Sequence, residues 1–313
     1  METLINGLHH VTTLAGDVQR NADYYITILG LRLVKRTVNF DAPDVYHLYY
    51  GDETGSPGTI LTFFPYGNIP RGRKGVGQLT YTAFSAPTAS LSFWMDRLHQ
   101  YAIPYAGPYK RFTETYLRFE DFDGMGIELV FTDNDSRPGW DNGRIPVAFS
   151  IRGFHTVTLN EQDPDRTIKL LTETMQHQLI GEEEGRFRFQ AGKGGSGGYV
   201  DVLHSPTDGR PLQGAGSVHH VAFSTDSDQT QLLIQQQLAE LGYHVTPVQD
   251  RNYFHSIYFR EPGGILFEVA TNPPGFTVDE PLAELGMSLK LPAQYEARRA
   301  SLVNALPKFT VEL

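Results

Sequence analysis

The chain has 313 residues, 40% of them hydrophobic and 20% charged, which is the composition of a globular protein and not of a disordered one. Its net charge of −10 argues against a nucleic-acid partner, and the absence of cysteine excludes disulfides, thiolate zinc sites, iron–sulfur clusters and cysteine nucleophiles. The N-terminus lacks the pattern of a signal peptide, and no apolar run is long enough to span a membrane, so we expect a cytoplasmic protein without a membrane partner.

The first module predicted along the chain is a strand, a helix and three further strands. The strand at 8–14 is followed by Asp17, a good helix N-cap, and apolar residues recur with helical spacing from Ala22 to Leu29. Gly30 suits the position just after the last helical turn. Strands follow at 31–38, 45–50 and 59–64.

The same order of elements returns three more times, so the chain contains four copies of a βαβββ unit. Further helices are predicted at 88–101, 164–177 and 227–241. Further strands are predicted at 79–85, 105–109, 115–120, 126–132, 154–159, 179–182, 186–190, 198–203, 219–224, 243–248, 253–260 and 265–270. We divide the chain into modules 1–70, 75–135, 150–206 and 215–273, followed by a C-terminal tail 274–313 that contains one helix at 292–305 and has no assigned role.

A single four-stranded unit has exposed edges and one apolar face, so it must pair with a second copy. We therefore predict an α+β fold in which the four modules pair into two cupped-sheet barrels. The polar stretch at 133–142 is the linker between modules two and three. The glycine-rich segment at 193–198 precedes a strand and lacks a Gly-Lys-Ser/Thr ending, which favours a hairpin loop over a phosphate-binding loop.

Two histidine doublets stand at equivalent positions on the first strands of modules one and four. They are His9-His10 and His219-His220, and they account for four of the eleven histidines in the chain. The last strand of module four ends its Gly-Gly-Ile-Leu-Phe-Glu run at Glu268. Two histidines and one carboxylate are the ligand set of non-haem Fe(II) enzymes. Because neighbouring residues of a regular strand point to opposite faces, only one histidine of each doublet is expected in the cleft, and the pattern leaves open which one.

The other two modules provide an internal control. Their first strands carry Tyr81 and Thr156 at the position of His10 and His220. At the position of Glu268, alignment of the last strands places Phe63 in module one, Glu128 in module two and Val202 in module three. We therefore expect module one to pack against module four around a single metal site, with the other pair serving as a scaffold.

The His-His-Val doublets and the run ending at Glu268 resemble the vicinal oxygen chelate (glyoxalase/bleomycin resistance/dioxygenase) superfamily. Segments 31–40, 45–50 and 58–64 are similar to the hydroquinone-type ring-cleaving dioxygenases of that superfamily. The resemblance covers nearly the whole chain and implies a glyoxalase-like fold. It also implies that His10, His220 and Glu268 bind Fe(II), or Mn(II) in its place.

The same resemblance implies an extradiol-type ring-cleaving dioxygenase that acts with O2 on a small hydroquinone-like aromatic. It implies further active-site positions at Thr12, Arg251 and Tyr258, and roles for His9 and His219 in proton transfer or in holding the metal ligands. Ordinary strand or surface roles are the alternative for each of these residues. We interpret six of the other histidines as structural or surface residues: His47, His99, His177, His204, His244 and His255.

Two alternative functions remain open on the same fold. A glyoxalase-type isomerase or lyase would bind its metal through four protein ligands, and Phe63 at the fourth position favours an open site instead. A metal-free small-molecule-binding (resistance) protein would have no use for the three ligands. The sequence does not decide whether the protein is a homo-oligomer.

Overall fold

The structure, a computed structural model, describes residues 3–311. The first two residues of module one and the last two of the tail therefore lie outside the described residues. Within 3–311, no helix is long and apolar enough to cross a lipid bilayer. The boundaries of the four modules stay predictions, while the elements inside them can be compared directly.

Module one begins with β1 (Gly7–Ala15) and α1 (Val18–Ala22), which continues as a wider, π-helical segment at Asp23–Ile28. Asp17 caps this helix as predicted, because its carboxylate accepts the backbone N–H of Arg20 at 2.8 Å. Gly30 follows the helix with φ +72°, a conformation that favours glycine. The remaining strands are β2 (Arg32–Val38), β3 (Tyr46–Gly51) and β4 (Ile60–Pro65).

The next two modules repeat this order. Module two contains β5 (Gln78–Ala86), α2 (Leu91–Gln100), β6 (Tyr105–Arg111), β7 (Glu114–Glu120) and β8 (Gly126–Phe131). Module three contains β9 (Gly153–Glu161), α3 (Asp165–Lys169) with a π-helical continuation at Leu170–Thr174, β10 (Gln178–Glu183), β11 (Arg186–Gln190) and β12 (Tyr199–His204). The glycine-rich segment at 193–198 joins the antiparallel neighbours β11 and β12, so its interpretation as a hairpin loop is confirmed.

Module four contains β13 (Val218–Thr225), α4 (Asp228–Glu240), β14 (Gln249–Asp250), β15 (His255–Arg260) and β16 (Leu266–Thr271). The strand predicted at 243–248 is wrong, because regular pairing is restricted to the two residues of β14. Pro247 has no N–H to donate and restricts Thr246 before it. The side chain of Thr246 replaces the missing ladder by accepting the backbone N–H of Tyr258 at 3.0 Å.

Within the described range the strands form two eight-stranded sheets, each curled into a cupped half-barrel. One sheet has the order β14-β15-β16-β13-β1-β4-β3-β2 and the other the order β10-β11-β12-β9-β5-β8-β7-β6. Module one is thus joined to module four by antiparallel pairing of β1 with β13, and module two to module three by β5 with β9. The predicted α+β fold and its pairing of modules are confirmed.

The C-terminal tail contains short 3-10 turns and one helix, α5 (Arg299–Ala305), that begins well after the predicted 292. The tail is bound to β2 by ion pairs. The fully buried ammonium of Lys35 contacts Asp279 and Glu280, each at 2.5 Å. The hydroxyl of Tyr295 donates to the carbonyl of Phe40 at 2.6 Å. The tail therefore holds the segment that follows β2, and this segment forms one wall of the site described next.

Candidate metal centre

Three buried side chains converge where β1, β13 and β16 lie side by side. The Nε2 atoms of His10 and His220 are 3.2 Å apart, and Oε2 of Glu268 lies 3.1 Å from the first and 2.9 Å from the second. Among the described residues, this is the one group of three or more histidine and carboxylate ligand atoms close enough to hold a metal ion. The pairing of modules one and four thus brings the predicted ligands together.

Both doublets are placed by β-bulges. The pairing of β1 with β13 shifts register between Leu8 and His10, so His9 is an extra residue on its strand. It shifts again between Thr12 and Thr13, opposite Val218 and His220, so His219 is the extra residue on the other strand. A bulge re-aims side chains locally and is common beside active sites. These two bulges allow consecutive histidines to contact each other, which a regular strand forbids.

The outer histidines, His9 and His219, each contact the neighbouring ligand histidine at its Nδ1 atom, the ring nitrogen that faces away from the centre. Nδ1 of His9 lies 2.9 Å from Nδ1 of His10, and Nδ1 of His219 lies 2.7 Å from Nδ1 of His220. If His10 and His220 direct unprotonated Nε2 atoms at the centre, their Nδ1–H groups donate to His9 and His219. Such a hydrogen bond fixes the tautomer and the ring orientation of a metal-binding histidine.

The outer histidines are held neutral by their surroundings. Burial, and next to it the neighbouring His10, lower the pKa of His9 to about 3. Loss of hydration and the neighbouring His220 lower the pKa of His219 to about 3, although this residue is more exposed than His9. Both rings are therefore hydrogen-bond acceptors at neutral pH, which suits the holding of ligands better than the storage of a proton.

The carboxylate of Glu268 has one oxygen anchored and one oxygen free. The hydroxyl of Ser256 donates to Oε1 at 2.5 Å. Oε2 is fully buried and has no hydrogen-bond partner, although the two imidazole nitrogens stand within contact distance. Burial opposes ionisation of Glu268, but His10 and His220 outweigh it and hold its pKa well below the usual range. An ionised, unpartnered oxygen facing two imidazole nitrogens fits a divalent transition metal.

A cavity of about 610 Å³, here called the front cavity, opens beside the three ligands. His10, His220 and Tyr258 lie on its inner wall. The guanidinium of Arg251 donates from Nε to the Tyr258 hydroxyl at 3.2 Å, which leaves the hydrogen of that hydroxyl available to another acceptor. Burial and the nearby Glu268 raise the pKa of Tyr258, so the phenol stays protonated at neutral pH. Further lining residues are Asn39, Phe40, Asp41, Ala42, His47, Tyr49, Phe64, Tyr66, His219, Thr246, Gln249, Phe254 and Leu266.

Thr12 and His47 belong to one chain of hydrogen-bonded side chains beside the front cavity. Thr12 Oγ1 contacts Thr62 Oγ1 at 2.8 Å, and Thr62 contacts Nε2 of His47 at 2.9 Å. The Tyr49 hydroxyl contacts Nδ1 of His47 at 2.8 Å. Thr12 thus lies behind the cavity wall, whereas His47, which we had interpreted as structural or surface, lines the cavity. The signal for His47 was present in the repeat, because it occupies the position that Ser256 has in module four.

Strand register corrects the alignment of the last strands in two modules. Glu268 pairs with Ala222, and the matching pairs are Thr12 with Thr62 in module one and Thr158 with Asp201 in module three. The positions equivalent to Glu268 are therefore Thr62 and Asp201, one residue before the predicted Phe63 and Val202. The prediction of Glu128 in module two was right, since Glu128 pairs with Ala83.

The second sheet places arginines at the positions that tyrosines occupy in the first. Arg118 pairs across the strands with Glu128 and contacts it at 2.7 Å, where Tyr258 pairs with Glu268 in module four. Arg188 likewise contacts Asp201 at 2.7 Å. Arg111 and Arg186 complete the network at 2.7 and 3.1 Å from the same two carboxylates. Both carboxylates are thus neutralised by guanidinium groups, which explains why this pair of modules presents no second metal site.

The other histidines with assigned contacts lie away from the centre. His255 is half-exposed and contacts Asp228 of α4 at 2.6 Å, and His155 contacts Glu114 at 2.7 Å in the second sheet. His177 is buried against Phe223, with its Nδ1 3.0 Å from the Met175 carbonyl. These three rings have structural partners and face neither Glu268 nor the front cavity.

Comparison with known proteins agrees with this architecture. The model of the Glyoxalase/Bleomycin resistance protein/Dioxygenase superfamily matches residues 7–129 and 153–269. The chain is 43% identical over 305 residues to the candidate ring-cleaving dioxygenase MhqO of Bacillus subtilis, with 97% of each protein covered. It is 36% identical over 312 residues to the chlorohydroquinone/hydroquinone 1,2-dioxygenase of Sphingobium indicum, with 96% of each protein covered.

Solved structures extend the comparison to three dimensions. The crystal structure of a candidate dioxygenase from Bacillus subtilis superposes with a TM-score of 0.95 at 42% identity, over 99% of both chains. Glyoxalase I from Zea mays shares the fold alone, with a TM-score of 0.64 at 14% identity over 85% of this chain and 92% of that one. Because the family model matches both halves of the chain and the relatives match nearly its whole length, this protein belongs to the Glyoxalase/Bleomycin resistance protein/Dioxygenase superfamily.

Proposed function

We propose that this protein is an Fe(II)-dependent, extradiol-type ring-cleaving dioxygenase that acts with O2 on a hydroquinone-like aromatic, with Mn(II) as the alternative metal. The observation that carries the proposal is the meeting of His10, His220 and Glu268, with the two histidines on the wall of a cavity large enough for an aromatic ring. Two imidazoles and one carboxylate form the ligand set used by non-haem Fe(II) oxygenases, which keep further coordination positions for substrate and O2. The names of the relatives MhqO and the Sphingobium hydroquinone dioxygenase support the same reaction class.

A bound Fe(II) would supply Lewis acidity toward a phenol and the electron transfer that a reaction of O2 with an aromatic ring requires. His10, His220 and Glu268 would hold it. His9 and Ser256 contact these ligands and do not line the front cavity, so we regard them as positioning residues. His219 contacts His220 in the same way and also lines the front cavity.

Arg251 and Tyr258 would bind the substrate hydroxyl that becomes negatively charged. Burial opposes the charge of Arg251, but Tyr258, Asp41 and Glu268 more than offset it and raise the pKa of the guanidinium. A permanent positive charge beside the ligands favours a phenolate over a phenol. The Tyr258 hydroxyl, which already accepts from Arg251, donates its own hydrogen to the substrate oxygen.

The remaining walls are suited to an aromatic ring and exclude water from it. Phe40, Phe64, Tyr49 and Phe254 line the front cavity. Water exclusion strengthens the electrostatic contribution of Arg251 and protects reactive species from side reactions.

The proposal is tested by anaerobic reconstitution with Fe(II) and measurement of O2 uptake with hydroquinone, methylhydroquinone, halogenated hydroquinones and catechol. We expect uptake with the hydroquinones and incorporation of both atoms of isotopically labelled O2 into a ring-opened product. A protein that holds iron but consumes no O2 with any of these compounds would contradict the proposal.

The ligand assignment is tested separately by metal analysis of His10→Ala. We expect this variant to lose the metal, because one of three ligands is missing. Thr156→Ala is the matched control, since Thr156 occupies the equivalent position in the second sheet. Full metal content in His10→Ala, or equal loss in both variants, would contradict the assignment.

The two alternative functions receive less support. The position equivalent to Glu268 in module one is Thr62, whose hydroxyl is already engaged by Thr12 and His47, so a fourth carboxylate ligand of the glyoxalase kind is missing. A metal-free binding protein would have no use for a fully buried carboxylate oxygen that faces two imidazole nitrogens.

A further inference from the structure

A second cavity approaches the site from the far side of the Phe254 side chain. Its volume is about 250 Å³, and we call it the rear cavity. His9 and Phe254 line its inner end, and neither His10 nor His220 lines it. The doublet is thus divided between two cavities, with His10 facing the front one and His9 the rear one.

Phe254 alone, among the residues lining either cavity, lines both of them. Its ring centroid lies 5.0 Å from that of His9 and 5.1 Å from that of His10. One buried side chain therefore separates the rear cavity from the metal ligands.

The rear cavity is a funnel with a polar, exposed rim and an apolar, buried interior. Thr54, Pro57 and Thr277 are exposed at the rim. Ile60 and Phe276 are buried inside, together with Tyr253. The amide of Asn272 is engaged with Ser224 and Asp226. None of the residues that line the rear cavity carries a formal charge, whereas the front cavity contains Asp41 and Arg251.

This difference separates the two reactants of the proposed reaction by chemistry. An aromatic diol needs the hydroxyl-binding pair Arg251 and Tyr258, which only the front cavity offers. O2 is small, neutral and apolar, so it partitions from water into an apolar interior. A ring seated in the front cavity would also lie between solvent and the ligands on that side.

We propose that the rear cavity is the entry route and holding site for O2, which reaches the metal centre past Phe254 while the aromatic substrate occupies the front cavity. This inference rests on the proposed dioxygenase function. The two reactants then approach the ligands from opposite sides of Phe254, and neither has to leave for the other to bind.

The first test is structural and needs no activity. Xenon is a probe for apolar gas sites, so a crystal of the protein held under xenon pressure should show xenon in the rear cavity, next to Ile60 and Phe254. Thr277→Trp places a large ring at the rim and should reduce this occupancy. Val278→Trp is the matched control, because Val278 is the next residue, is also exposed and does not line the cavity. Absence of xenon from the rear cavity of the unmodified protein would overturn the proposal.

The second test uses the Fe(II)-loaded enzyme at varied O2 concentration. Thr277→Trp, and independently Thr54→Trp on the other side of the rim, should lower kcat/KM for O2 by about three- to tenfold while kcat/KM for hydroquinone stays the same. Val278→Trp should change neither value. Unchanged kcat/KM for O2 in both rim variants, or an equal loss for both reactants, would overturn the proposal. Failure of the dioxygenase function itself would appear differently, as no O2 uptake by the unmodified enzyme.

Discussion

A pair of buried carboxyl groups joins the two sheets and gives a prediction about stability. Glu161 ends β9, and Glu261 lies in the turn between β15 and β16, with both side chains almost completely buried. Glu261 accepts hydrogen bonds from the backbone N–H groups of Gly263 and Ile265 and from the hydroxyl of Thr167. Burial, and next to it the charge of Glu261, raise the pKa of Glu161 to about 8. Glu161 is therefore protonated at neutral pH and can donate a hydrogen bond to Glu261.

The sign of the effect follows from the raised pKa of Glu161. In the unfolded chain this group loses its proton near its ordinary value of 4.5, whereas the folded protein keeps the proton up to a pH of about 8. The contribution of Glu161 to the free energy of unfolding is therefore fully present below pH 4.5 and is lost as the pH rises toward 8. The corresponding loss in the free energy of unfolding is at most about 5 kcal/mol, because the pair shares the electrostatic penalty.

The perturbation is Glu161→Gln. It replaces the carboxyl group by an amide, which donates a hydrogen bond to Glu261 at every pH. We expect the free energy of unfolding, measured by denaturant titration, to be similar in both proteins at pH 5. At pH 8.5 the variant should be more stable than the unmodified protein by several kcal/mol. Glu182→Gln is the control at an exposed strand position. The reasoning is refuted if Glu161→Gln leaves the fall in stability between pH 5 and pH 8.5 unchanged.

Three further predictions concern the two sheets. Thr62→Glu adds a carboxylate at the position equivalent to Glu268, so this variant should keep the metal and lose O2 uptake. Thr62→Val only removes the hydrogen bonds and should retain most of the O2 uptake. Equal loss of uptake in both variants would contradict the argument that the metal site is open. Tyr258→Phe should lower kcat/KM for hydroquinone by about 10- to 100-fold without changing iron content; an unchanged kcat/KM would remove Tyr258 from the substrate-binding role. Glu128→Ala leaves Arg111 and Arg118 without their buried partner. This variant should lose about 3–5 kcal/mol in the free energy of unfolding, measured by denaturant titration. A loss below about 1 kcal/mol would show that water solvates the network.

The repeat was readable because its signals are local. Strand alternation, the Asp17 cap and the glycines after the helices of modules one and four depend on residues close in sequence, and four copies of one pattern reinforce each other. The doublets identified modules one and four as the pair with a site, and β1 does lie beside β13. The strand at 243–248 failed for a local reason that was also visible, since Pro247 stands inside it.

The sequence left undecided, first, the register in which neighbouring strands pair. The alignment of the last strands was one residue off at Thr62 and Asp201, because register is set by pairing with the neighbouring strand and not by the strand alone. The same limit concealed the bulges at His9 and His219. A bulge exists only in the pairing of two strands, so neither strand alone reveals it.

The sequence also left undecided which side chains from distant parts of the chain contact each other. The sequence by itself determined the modules, the ligand types and their pairing into two sheets. The tertiary structure decided that His47 lines the cavity, that arginines neutralise Glu128 and Asp201, and that His9 and His10 face different cavities. Each of these facts depends on side chains from strands far apart in the chain, and their distances are set only when the curled sheet closes around them.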